Sequence, residues 1–190
     1  MSKLYFKMLR LAFMGGIIGG ISYILKYLSS FFIKSTSLIS DAMISGIIFI
    51  CVGLSIILSM IFSQPLLKDK KNLLFIGSAI GSFIAGIFFP LGIGMYVALI
   101  IFPVCLAITI KLADLKGLGV KVLMGGIIGG ITGAIIGTLL SIAALAFQHV
   151  VPGLQGEVFD ITSAALMVAI IIYFWNLGIL IGVSKWKVTP

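Results

Sequence analysis

Charged residues are scarce in this sequence. They account for 9% of the 190 residues, and only five of them are acidic. Soluble domains carry about 25% charged residues, because water must solvate their surface. Hydrophobic residues instead account for 61%, and the mean hydropathy is +1.32. A water-soluble fold of this length cannot bury so much apolar surface, so the composition predicts an integral membrane protein forming a single domain over residues 1–190.

Residue types that carry chemistry are equally rare. The chain contains one histidine and two cysteines, Cys51 and Cys105, and neither cysteine has a ligand-type neighbour or a CxxC partner. The five carboxylates lie at or beyond the ends of the apolar segments, whereas ion-driven pumps carry ionisable groups inside the membrane. No metalloprotease or serine-hydrolase motif is present. We therefore expect no enzymatic activity, no catalytic residues, no metal and no cofactor.

Long apolar runs are what the sequence has instead. A bilayer core of roughly 30 Å needs about 20 apolar residues of helix, and six segments meet that requirement. They lie at approximately 8–30, 42–63, 72–89, 93–110, 120–147 and 162–184. We expect an all-α fold in which six transmembrane helices form a compact bundle.

The basic residues indicate an orientation. Thirteen Lys and Arg give a net charge of +8, and they lie in small groups between the apolar segments. Such groups are typical of topology signals and anionic-lipid contacts, so we expect no nucleic-acid partner. With six spans, Lys26 and Lys34 fall on one side, and the other eleven fall opposite: Lys3, Lys7, Arg10, Lys68, Lys70, Lys71, Lys111, Lys116, Lys121, Lys185 and Lys187. The positive-inside rule then predicts a plasma or inner membrane protein with both termini in the cytoplasm.

A glycine-rich sequence motif recurs in the odd-numbered segments. MGGIIGG occurs at Met14–Gly20 and Met124–Gly130, and the looser IGSAIGS occurs at Ile76–Ser82. Glycines four apart share one helix face and let backbones approach closely, which is how helices associate in lipid. The predicted packing or partner faces are Gly15, Gly19, Gly77, Gly81, Gly125, Gly129, Gly133 and Gly137. We expect helices 1, 3 and 5 to pack centrally as a glycine zipper. Whether the chain is also an internal repeat of three helical hairpins stays open.

Polar side chains are concentrated in the predicted outer half of the bundle. The candidate ligand-binding residues are Tyr23, Lys26, Tyr96, His149, Trp175 and Asn176. We expect them to line an outward-facing cavity between helices 1, 4, 5 and 6. Two other interpretations stay open. Asn176 can instead form a hydrogen bond between helices, as amides within the membrane do, and the Tyr and Trp residues can instead anchor helix ends at the membrane interface.

Two functions fit these features. The first is a transport component that binds a small, neutral or weakly charged solute from the outer side and is energised by a partner subunit. In plan, the chain is similar to the substrate-binding membrane subunits of energy-coupling-factor vitamin transporters, although it has none of that family's diagnostic motifs. The resemblance implies six helices and a small-residue face on helix 1 that meets a coupling subunit.

The alternative is a non-catalytic assembly subunit of a larger membrane complex. Its glycine faces would contact another membrane protein or a second copy of the chain, and the scarcity of polar residues favours it. In either case the expected surroundings are the lipid bilayer.

Overall fold

A computed structural model describes residues 2–32, 38–88, 94–150 and 156–186, and all regular structure in these ranges is helical. The all-α prediction is therefore confirmed. Six α-helices overlap the six predicted segments, and a short 3₁₀ helix, Pro65–Lys70, precedes the third. The α-helices are α1 (Ser2–Phe32), α2 (Leu38–Ser63), α3 (Lys71–Ile87), α4 (Gly94–Leu112), α5 (Leu118–Val150) and α6 (Glu157–Ser184).

Four of the helices are long and apolar enough to cross a bilayer. Their apolar runs are Leu4–Ser29, Leu38–Ser63, Leu118–Gln148 and Glu157–Ser184. The other two helices are shorter, since α3 has 17 residues and α4 has 19. At 1.5 Å per residue, α3 is about 26 Å long. These lengths are compatible with a multi-pass membrane protein.

Each helix runs antiparallel to the next one in the chain. The helices follow one another around the bundle in sequence order, and α6 returns to pack against α1 as well as α5. We call one end of the bundle the basic end: it holds the start of α1, the α2–α3 and α4–α5 connections, and the end of α6. Ten basic residues have described side chains, and all of them except Lys26 belong to this end.

The centre of the bundle differs from the predicted one. α2 also contacts α6, and the apolar runs of α2 and α6 are 56% and 50% buried, against 39% for α1 and 28% for α5. The glycine-rich α1 and α5 instead lie on either side of α6, and α3 lies between α2 and α4. The physical reason is that a glycine seam permits close approach on one narrow face only, while the other faces carry bulky apolar side chains.

The surface of the bundle is far more apolar than that of a soluble protein. Large apolar side chains are exposed on all six helices, for example Phe13, Ile80 and Ile135. Asn176 and Ser45, by contrast, are fully buried. In water such an extensive apolar surface would be unfavourable, whereas lipid solvates it.

Candidate functional site

Asn176 lies where α1, α2 and α6 meet, and it is fully buried. Its Nδ2 donates hydrogen bonds to the carbonyl oxygen of Leu11 on α1 (3.3 Å) and to Oγ of Ser59 on α2 (3.4 Å). Gly15 makes room for this amide, because a Cβ there would overlap Asn176 Nδ2. The described contacts of Asn176 therefore join three helices.

Two adjacent residues of α6 each leave a polar atom unpaired. Within the described ranges, Asn176 Oδ1 and Trp175 Nε1 are buried without a hydrogen-bond partner. Trp175 is 2% exposed, and its ring packs edge-on against Phe102 of α4 with the centroids 5.0 Å apart. A buried unpaired polar group costs about 1–3 kcal/mol. Successive helical residues differ by about 100° in direction, so the two atoms belong to different sides of α6.

Buried serines extend the polar interior along α2 and α3. Ser55 and Ser59 donate to carbonyl oxygens of their own helix, as does Ser82. Ser45 and Ser78 have buried hydroxyls with no partner among the described residues. Ser78 and Ser82 belong to the IGSAIGS motif of α3, but no polar contact was predicted for any of these serines. The available signal was their position near glycines, because a small polar side chain can also lie at a close helix contact.

The candidate ligand residues on α1 lie well away from Asn176. Gly15 faces Asn176, and Tyr23 and Lys26 follow eight and eleven residues later, about 12 and 16 Å along the helix. Tyr23 is half-buried. Lys26 Nζ pairs with Asp41 Oδ2 on α2 at 3.4 Å. The structure thus places Lys26 in a contact between two helices.

The remaining candidates are also separated along the bundle axis. The backbone of Tyr96 lies six residues, about 9 Å, from Phe102, the α4 residue that touches Trp175. The backbone of His149 is one residue beyond Gln148, whose Nε2 donates to Asp160 Oδ1 at 2.8 Å. The side chains of Tyr96 and His149 lie outside the described residues. Among the described candidates, only Trp175 and Asn176 share a level of the bundle.

Polar contacts connect the helices at the end opposite the basic end. The Lys26–Asp41 pair joins α1 to α2, and the Gln148–Asp160 hydrogen bond joins α5 to α6. The hydroxyl of Tyr27 on α1 donates to the Glu157 carboxylate on α6. Polar residues that were predicted to surround a ligand thus include residues that join helices.

Lysines at the basic end bond to the ends of neighbouring helices. Lys7 Nζ donates to the carbonyl oxygen of Phe62 at the end of α2, and Lys121 Nζ donates to that of Lys185 just after α6, both at 2.6 Å. The last carbonyl groups of a helix have no partner within it, and a cation there is favoured by the helix dipole. Residues predicted as topology signals and anionic-lipid contacts therefore also cap helices.

The predicted glycine faces lie against other helices of the same chain. On α5, Gly125, Gly129, Gly133 and Gly137 all face α6. On α1, Gly15 and Gly19 face Asn176 and Ile172 of α6, and on α3, Gly77 and Gly81 face Thr109 and Cys105 of α4. These seams are covered within the molecule and leave no space for a second protein on the same surfaces.

Two open cavities lie on the surface of the bundle. The first, which we call the α6 groove, has a volume of about 550 Å³ and lies over α6 between α1 and α5. Its lining is apolar and includes Phe13, Gly16, Leu140, Ala169 and Tyr173. The second, which we call the basic-end pocket, has a volume of about 680 Å³ and lies between α4 and α5 at their connection.

No group of three or more His, Cys, Asp or Glu side chains that could hold a metal ion occurs in the described part of the chain. No protein-family model matches the sequence, and no curated protein and no solved structure is detectably similar to it.

Proposed function

We propose that all six helices span a plasma or inner membrane, with both termini in the cytoplasm. Exposed apolar residues on every helix, including Ile80 on α3 and Ile108 on α4, support this placement. The basic end supports the orientation, because cytoplasmic loops are enriched in Lys and Arg. Although α3 and α4 are short, both run antiparallel between neighbours, so each must reach from one end of the bundle to the other.

Within that membrane, the proposed role is that of a non-catalytic subunit that binds a transmembrane helix of a partner protein. The observation that carries this proposal is the α6 groove. Its lining is wholly apolar and includes Phe13, Leu140 and Tyr173, with the small residues Gly16 and Ala169 where α1 and α6 approach each other. An apolar groove along a close helix contact suits a further helix, because van der Waals packing drives helix association in lipid.

The use of small residues elsewhere in the bundle supports a helix as the occupant. The seams of α1, α3 and α5 are each covered by a neighbouring helix of the chain. Over the α6 groove, the described residues leave α6 uncovered between α1 and α5. A partner helix would cover the groove as α6 covers the α5 seam.

A bulky residue in the groove tests the proposal. Leu140 lines the groove and is 46% exposed, while its neighbour Leu139 is 61% exposed and does not line it. We expect Leu140→Trp to abolish co-purification of a membrane partner in mild detergent, while Leu139→Trp retains it. The partner is identified by mass spectrometry, and a photocrosslinker at position 140 should map to one of its transmembrane helices.

Three results decide between the occupants. Unchanged co-purification by the Leu140→Trp protein would exclude the groove as the partner site. Crosslinks to a second copy of this chain would replace the partner subunit with self-association. A melting temperature that falls in the Leu140→Trp protein but not in the Leu139→Trp protein would show that the lost co-purification is a folding defect.

A solute-binding transport component, energised by a partner, is the second candidate. The observation that favours it is the pair of unpaired polar atoms, Trp175 Nε1 and Asn176 Oδ1, inside the bundle. A polar solute that entered the interior could supply the missing hydrogen bonds. Against it, the described candidate ligand residues are spread over about 16 Å along the bundle axis, from the level of Asn176 to that of Lys26.

Thermal stability separates the two candidates, because a ligand that binds only the folded state raises its melting temperature. A solute-binding component should be stabilised by a member of a panel of small neutral solutes, with the effect lost in Asn176→Leu. An assembly subunit should be stabilised only by its protein partner, with the effect lost in Leu140→Trp.

A further inference from the structure

The basic-end pocket combines apolar walls with charged residues. Its apolar part includes Val104 and Ile108 of α4 and Val120 of α5, which are 38%, 54% and 67% exposed. Lys111 and Lys116 line the same pocket, and both are exposed. The pocket thus presents apolar surface toward the bilayer and two ammonium groups at the basic end.

The α4–α5 connection that forms this pocket is held in place. The indole Nε1 of Trp186 donates to the carbonyl oxygen of Lys116 at 2.9 Å, and the Asp114 N–H donates to that of Lys111 at 3.0 Å. Asp114 has a positive φ of 57°, a conformation that aspartate tolerates better than most residues. These contacts fix the backbone that carries both lysines, so a ligand meets a largely formed site.

The charges of the pocket fit an anionic headgroup. The lining carries two positive charges, on Lys111 and Lys116, and one negative charge, on Asp114. None of these three side chains forms an ion pair within 4 Å among the described residues. A phosphate would be attracted by both ammonium groups. The Asp114 carboxylate can accept hydrogen bonds from the hydroxyl groups of a lipid headgroup.

We propose that the basic-end pocket binds one anionic phospholipid of the cytoplasmic leaflet. The phosphate pairs with Lys111 and Lys116, and an acyl chain packs along Val104, Ile108 and Val120. Anionic lipids are abundant in that leaflet, and each basic side chain near such a surface adds to the attraction. The inference rests on the membrane placement proposed above and is independent of the partner proposed for the α6 groove.

Native mass spectrometry of the delipidated full-length protein tests the headgroup contacts. The probes are phosphatidylglycerol and phosphatidylcholine with identical acyl chains. We expect one phosphatidylglycerol to bind more tightly than phosphatidylcholine, and the double variant Lys111→Gln/Lys116→Gln to bind it roughly thirtyfold more weakly. Lys68→Gln/Lys70→Gln removes the same charge from the other basic connection and should bind it as the wild type does.

The apolar walls have their own variants. Val120→Trp fills the pocket and should remove the bound lipid whatever its headgroup. Ile128→Trp, at a 59% exposed position on α5 that does not line the pocket, should retain it. Glycerol phosphate tests a free-anion site, and we expect millimolar amounts not to displace the lipid because they lack an acyl chain.

Four outcomes would overturn the proposal. These are equal losses in the two lysine double variants, no loss in Lys111→Gln/Lys116→Gln, retention of lipid by Val120→Trp, or displacement by glycerol phosphate. A wrong membrane orientation would appear separately, in cysteine labelling of intact cells.

Discussion

The backbones of Gly125 on α5 and Gly178 on α6 cross so closely that a methyl group on either residue would overlap the carbonyl oxygen of the other. The contact continues along α5, where Gly129 faces the Phe174 carbonyl and a Cβ on Gly133 would lie 2.9 Å from Ile171 Cα. Backbone atoms cannot rotate away as side chains can. The α5–α6 interface therefore depends on glycine at these positions.

Gly125→Ala should destabilise the bundle, because the two backbones would have to separate. Overpacking of this kind typically costs about 1–3 kcal/mol. The matched control is Gly130→Ala on the same helix, where the nearest atom to the new Cβ is Leu99 Cδ2 at 3.3 Å, the end of a flexible side chain. The melting temperature in detergent, monitored by near-ultraviolet circular dichroism, should be lower for Gly125→Ala and nearly unchanged for Gly130→Ala. Equal melting temperatures would show that α5 and α6 can separate there at no cost.

The helices could be predicted from the sequence because each depends on a local run of apolar residues. The two connections at the basic end could be predicted for the same reason, since residues 64–70 and 113–117 interrupt those runs with charged residues. Which helices meet depends on side chains far apart in the chain, and periodicity carries no information about such pairs. The central positions of α2 and α6 were therefore not foreseen.

The contacts made by the repeated glycine-rich motif could not be predicted from the sequence either. The identical copies on α1 and α5 contact α6 from opposite sides. The looser copy on α3 makes contacts more like those of the α5 copy than the identical α1 copy does. Gly77 and Gly125 each face the next helix in the chain, while Ser78 and Gly126 approach the preceding one, at Gly53 and Pro103. In a Gly- and Ile-rich sequence, identical residues are therefore a weaker indication of equivalent packing than the positions of the small residues along the helix.

The candidate ligand residues were grouped by their predicted depth in the membrane. Asn176 was expected in an outward cavity, yet its described partners lie near the basic end: Leu11 is four residues from Lys7, and Ser59 is four residues from Ser63, the last residue of α2. Depth could not be read from the sequence, because the exact ends of long apolar runs were not known.

A double-mutant cycle on Asn176 and Ser59 should measure a weak coupling. Their hydrogen bond is long, at 3.4 Å, and hydrogen bonds between membrane helices average about 0.6 kcal/mol. Asn176→Leu also removes the unpaired Oδ1, so we expect the single variant to fold with little loss of stability. Unfolding in a detergent mixture gives the free energies of the four proteins. A coupling above about 2 kcal/mol would indicate that other groups, such as a bound water, complete this site.

Exchanging the charges of Lys26 and Asp41 tests the α1–α2 contact at the other end. The two side chains are 24% and 28% exposed, so the pair is only partly screened. Lys26→Asp alone places two carboxylates side by side and should lower stability by about 1 kcal/mol. Adding Asp41→Lys should restore most of the loss at low salt, and the difference should shrink at high salt. A double variant no more stable than Lys26→Asp would show that the ion pair does not form in the membrane.

Cysteine labelling of intact cells tests the proposed orientation. The background is Cys51→Ala/Cys105→Ala, which keeps the Cβ of residue 105 that packs near Gly81. Lys70→Cys at the basic end should be protected from a membrane-impermeant thiol reagent until the cells are permeabilised. Val158→Cys, at a 78% exposed position in the first turn of α6, should label in intact cells. The reverse pattern would place the basic end outside and remove the cytoplasmic lipid site with it. Protection of both positions until permeabilisation would contradict six spans, because an odd number of crossings must separate residues 70 and 158 in the proposed arrangement.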